Sequence, residues 1–89
     1  MTVHSTTHDT FKYHWIADPG HSWLCVPLNE VQASGFKPSE FSFKSGPYAL
    51  LEEDCDAPGF LRHTERLTQI NTYPTKHIEE FNRSLPRFS

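Results

Sequence analysis

The chain has 89 residues, 36% of them hydrophobic and 13% aromatic, and a formal net charge of −3. That length holds one hydrophobic core, and so many aromatic side chains argue against a chain that stays unfolded. No run approaches the roughly 20 apolar residues of a membrane-spanning helix, and the acidic balance argues against bulk electrostatic binding of nucleic acid.

Residues 1–10 are polar and without period, which predicts a flexible N-terminal tail ahead of a single domain over 11–89. The first residues show neither a basic start nor an apolar stretch, so no secretory leader is expected. Phe11, Tyr13 and Trp15 alternate with Lys12 and His14, the period of a strand with one buried face. Asp18-Pro19-Gly20-His21 interrupts it. Pro presets φ at the second turn position and Gly tolerates positive φ at the third, which predicts a type II turn. Trp23 to Val26 resume the strand and complete a hairpin.

Pro27 suits the first turn of a helix. Leu28 and Val31 are three apart, and Gly35 suits the position past the helix end. Phe41 and Phe43 alternate with Glu40, Ser42 and Lys44, a further strand. A Ser45-Gly46-Pro47 turn follows, then a near-continuous apolar strand, Tyr48 to Leu51, which suggests a central position. Asp54 or Asp56 is placed to cap a second helix with Pro58 in its first turn. Phe60, Leu61, Thr64 and Leu67 line one side of that helix, which is expected to end near Leu67. Gln69 to Tyr73 read as a further strand. Ile78, Phe81 and Leu85 have helical spacing, yet Pro86 follows closely, so segment 74–89 stays open between helix, strand and irregular structure. The order is roughly ββαββαβ. Paired strands predict an α+β domain, a small antiparallel sheet with two or three helices packed on one face.

Four candidate sites stand out. Glu52, Glu53, Asp54 and Asp56 place four carboxylates in five positions, and the remaining charges sum to +1. Such a run either caps a helix start or meets a cation or a basic partner. It lacks the twelve-position ligand pattern of an EF-hand. Asp18 and His21 flank a rigid turn beside Trp23. A carboxylate–imidazole pair there would suit general base chemistry, but no Ser or Cys sits in a nucleophile elbow, and Asp at a turn start usually serves the backbone. Tight turns also present side chains rigidly for recognition, and Trp is enriched at binding hot spots. Six histidines include His4 and His8 in the tail and dispersed His14, His21, His63 and His77; neither HExxH nor a Cys–His zinc spacing occurs. Arg62, Arg66, Lys76, Arg83 and Arg87 make the C-terminal part mildly basic, with Tyr73, Phe81 and Phe88 nearby. The two cysteines, Cys25 and Cys55, form no CxxC and read as free thiols.

Two segments together resemble a known family. His14 to Leu24, read as HWIADPGHSWL, resembles the opening of a family of short bacterial, plasmid and phage proteins built on a DPGHGWL-type motif. Leu50 to Ala57, read as LLEEDCDA, resembles that family's LEEDCDA segment. Phe41-Ser42-Phe43 and the ending Arg83 to Phe88 match its aromatic strand and its arginine–proline close. Ser22 stands where the family carries Gly. The family has no assigned activity, so the resemblance imports no catalytic residue; it implies a bacterial or phage origin and an accessory role on mobile elements.

These features point to a non-enzymatic accessory protein in the bacterial cytoplasm. It would bind and modulate a host protein, as a counter-defence inhibitor of a nucleic-acid-handling complex. Asp18, His21, Trp23, Glu52, Glu53, Asp54 and Asp56 are the candidate partner-binding residues, the partner is expected to offer a basic surface, and no cofactor or metal is expected. A homodimer is also open, because so small a chain readily leaves a sheet edge uncovered. The alternatives are a small metal-dependent hydrolase using Asp18, His21 and the acidic run, and a nucleic-acid-binding accessory protein.

Overall fold

Trp23, Leu24, Cys25 and Val26 are all buried, although alternate side chains of a strand point to opposite faces. Strand β2 (Ser22–Pro27) is therefore covered on both sides. The structure is a computed structural model that describes residues 12–88. The predicted tail over 1–10, with His4 and His8, lies outside the described residues.

Around β2 the sheet adds β1 (His14–Ala17), β3 (Phe43–Ser45), β4 (Tyr48–Glu52) and β5 (Thr75–His77) in the order β3-β4-β2-β1-β5. β1–β2, β2–β4 and β3–β4 pair antiparallel, as predicted; β5 pairs parallel with β1, so the sheet is mixed. The cause is the connection after β4. It carries a helix, as crossovers between parallel strands usually do, and it returns the chain to the end at which β4 began. The next strand must then run in the direction of β4 and β1.

Helix α1 (Leu28–Ser34) and helix α2 (Asp56–His63) share one face of the sheet, where Val31, Ala57, Phe60 and Leu61 meet Leu24, Val26, Ala49 and Leu51. The α+β class with helices on one face is thus the observed architecture. The opposite face buries Trp23, Cys25, Phe43 and Leu50 under Phe81, with Ile78 and Leu85 beside it. Those three residues have helical spacing but come from an irregular segment. Several short contacts hold that segment, including Ile78 N–H to the Ala17 carbonyl, Lys44 N–H to the Pro86 carbonyl and an isolated bridge between Phe43 and Arg87.

Four local expectations are corrected. Gly20 does not take positive φ, so the hairpin turn is not type II; the Asp18 carboxylate shapes it instead. β3 begins at Phe43, and Phe41 lies outside the sheet, 60% exposed. Helix α2 stops at His63, four residues short of Leu67, because Glu65 turns left-handed at φ 62°. Its N–H bonds the Arg62 carbonyl and the Arg66 N–H bonds the Leu61 carbonyl, the two reversed bonds of a Schellman motif. Gln69 to Tyr73 form no strand: Leu67–Gln69 are a 3₁₀ turn, and Thr72 bonds back to the Gln69 carbonyl. Gly35 does take the left-handed position after α1, at φ 81°.

Candidate functional site

The DPGH turn is built by its first residue. One carboxylate oxygen of Asp18 accepts the backbone N–H of Gly20 at 2.9 Å and of His21 at 2.8 Å, an arrangement that replaces the usual turn bond. Its other oxygen accepts the Phe81 N–H at 3.2 Å and faces Arg83 at 3.5 Å. Desolvation pushes the Asp18 carboxyl upward, but the N–H donors of His21, Gly20 and Phe81 and the Arg83 guanidinium outweigh it and hold the group below its ordinary value. Asp18 and the His21 ring do not bond; the imidazole Nδ1 instead lies 3.5 Å from Arg83. The carboxylate–imidazole pair that general base chemistry would need is not formed.

Trp23 is 1% exposed, stacked on Phe81 at 3.8 Å between ring centroids and edge-on to Phe43. Its indole N–H is buried without an acceptor, and an unsatisfied donor of that kind costs about 1–3 kcal/mol. By contrast, the other indole, Trp15, donates to the Ile70 carbonyl.

Over these rings opens a cleft of about 450 Å³. Its floor is Trp23 and Phe43, and Phe41 forms one wall. Arg83 lies over the Trp23 ring at 5.3 Å and Arg87 over the Phe43 ring at 4.5 Å. His21, Glu52 and Cys55 complete the lining. Of the candidate residues, the fold therefore brings His21, Trp23 and Glu52 to one place, with Asp18 behind them through Arg83. Phe41 and Arg87, which also line it, were not among the candidate partner-binding residues. Local pattern marks Phe41 as a strand residue, and nothing local says where the C-terminal arginines fold back.

The acidic run does not form one patch. Asp56 turns inward at 4% exposure, where its carboxylate accepts the Ser39 N–H, the Ser39 hydroxyl and the Ser42 hydroxyl. Neither Asp54 nor Asp56 caps α2; the N-cap is Cys55, with no side-chain cap bond. Glu52 accepts the N–H groups of Asp54 and Cys55, and Glu53 accepts that of Ser22. Glu52 lines the cleft, its neighbours Glu53 and Asp54 also reach solvent, and Asp54 is exposed.

Among the described residues no group of three or more His, Cys, Asp or Glu side chains is placed to hold a metal ion. Cys25 is buried and Cys55 exposed, both as free thiols. Burial pushes the Cys25 thiol up to about 11. The C-terminal cations are mostly engaged: Arg66 with Tyr13 and Glu30, Arg83 with Asp18, and Arg87 with the Glu40 carbonyl. Phe81 is buried, so it offers no ring to a base. Among the described residues no helix is long and apolar enough to cross a membrane.

Comparison with protein-family models, with curated proteins and with solved structures found no match.

Proposed function

We propose that the chain is a small non-enzymatic accessory protein that docks on a partner protein through the rim of this cleft. The observation that carries the reading is Phe41: a large ring, 60% exposed, beside two guanidiniums stacked on aromatic rings. Exposed aromatics and arginines at a concave surface are the composition of interface hot spots. Glu52 in the lining and the solvent-reaching Glu53 and Asp54 that follow it would steer a basic surface of the partner and set the register. The resemblance to short phage and plasmid proteins supports a host protein as that partner, the bacterial cytoplasm as the place, and inhibition of a nucleic-acid-handling complex as the effect. A second copy of the chain is the other occupant to test, since among the described residues β5 pairs only with β1.

The experiment is capture of the partner from a bacterial lysate by wild type, Phe41→Ala and Asp54→Lys. Both residues are exposed and outside the core, so the variants should fold as wild type does. Truncating a hot-spot ring costs about 2 kcal/mol or more, so Phe41→Ala should lose at least about 30-fold in affinity. Asp54→Lys should slow association and reduce its salt dependence. Capture that ignores both substitutions would sink the docking reading, and a wild-type mass of two chains by light scattering would point to self-association.

A further inference from the structure

Resting on the docking role proposed above, we propose that the cleft itself is an anion anchor: it takes a carboxylate carried next to an apolar side chain on the partner.

The lining is lopsided in hydrogen-bonding terms. A guanidinium has five N–H donors and no acceptor. Arg87 gives one of its nitrogens to the Glu40 carbonyl and has no carboxylate partner. Arg83 points one nitrogen at both Asp18 and His21. Among the described residues the remaining donors of both groups have no protein acceptor, and both side chains are exposed. Trp23 meets the cleft by its ring under Arg83, while its own N–H is buried away from the opening. Among the described residues the only carboxylate in the lining is Glu52, and one of its oxygens already accepts the Asp54 and Cys55 N–H groups. Two guanidiniums at one cleft, each with N–H groups to spare, suit an acceptor, and a carboxylate can take two guanidinium N–H groups at once.

The rest of the lining selects what carries that carboxylate. Trp23, Phe43 and Phe41 supply an aromatic floor and wall, which suit an apolar side chain beside the acid. Glu52 in the lining, followed by Glu53 and Asp54 in sequence, disfavours a polyanion, and the chain as a whole is at −3. A peptide that combines an acidic residue, an apolar residue and a basic neighbour matches all three zones; a nucleic acid strand matches only the first two.

The indole N–H gives the test a private reporter. The ¹⁵N spectrum of the full chain should show two indole signals, Trp15 bonded and Trp23 free. Acetyl-Asp-Phe-Lys-amide is titrated against its Asn analogue and against oligothymidylate. By engaging Arg83, which lies over that ring, the Asp peptide should shift the Trp23 indole signal while that of Trp15 stays. It should bind about tenfold tighter than the Asn peptide, the scale of one charge-assisted bond. Arg87→Gln should erase that preference. Wild-type affinity for the Asp peptide should also fall between about 50 and about 500 mM salt, a readout that needs no variant. Equal binding of the Asp and Asn peptides, an unmoved Trp23 signal, or preferential binding of oligothymidylate would each overturn the anchor. If the peptides bind alike while Phe41→Ala still abolishes capture, the anchor fails and the docking role stands. If the Asp peptide wins while capture ignores Phe41 and Asp54, the anchor stands and the docking role fails.

Discussion

Asp18 joins two stretches of chain that lie 63 residues apart, since the carboxylate that shapes the hairpin turn also receives the Phe81 N–H and Arg83. Because its value is depressed in the folded state, its contribution is complete above the ordinary 3.8 and is lost as pH falls below it. Glu30, held down by the Tyr13 hydroxyl, Lys12 and Arg66 against its own desolvation, works in the same direction. Asp18→Asn should therefore lower the melting temperature at pH 7. The gap to wild type should narrow as pH drops below about 4, where the wild-type carboxylate is itself protonated; thermal melts at the two pH values measure both effects. A gap that stays constant would mean the charge contributes nothing. The two thiols make a parallel case. Cys25, raised to about 11 by burial, should ignore a thiol reagent at pH 8, while exposed Cys55 reacts. One fast equivalent is expected in the native state and two in denaturant.

The end of α2 shows what decides an element's length. Phe60, Leu61, Thr64 and Leu67 on one side would allow the helix to run on to Leu67. It stops at His63 because the Schellman bonds to Leu61 and Arg62 satisfy the last carbonyls and send the chain toward the far sheet edge. Glu65 carries the left-handed residue of that motif without a glycine's freedom, at a cost of about 1–2 kcal/mol. Glu65→Gly should relieve it. After the extra entropy of an unfolded glycine, a net gain of about 0.5–1 kcal/mol remains. That is a rise of a few degrees in melting temperature; a fall would refute the strain. The acidic run makes the same point at the other end of α2. Four neighbouring carboxylates are divided by a helix start, which turns Asp56 into the protein against Ser39 and Ser42 and leaves Asp54 in water.

At the scale of the molecule, the C-terminal segment is the second face of the domain. Phe81 stacks on Trp23 and shields Cys25, Phe43 and Leu50, with main-chain bonds to Ala17, Ser42 and Lys44 on either side. Phe81→Ala should cost about 3–5 kcal/mol, a large share of the stability of a domain this small. It should also loosen the segment enough that Cys25 joins Cys55 in reacting with a thiol reagent under native conditions. A variant that loses stability but keeps Cys25 protected would mean that other residues of the segment seal that face. By itself the sequence determined the class of fold, the hairpins, the Gly35 helix end and the interior place of β4, because period, glycine and proline act over a few residues. The parallel pairing of β5, the inward turn of Asp56, the exposure of Phe41 and the meeting of His21, Trp23 and Glu52 with Arg83 and Arg87 were decided only by the tertiary structure. Each depends on where a crossover or an irregular tail returns to the sheet, and that is set by burying the sheet's second face rather than by any local pattern.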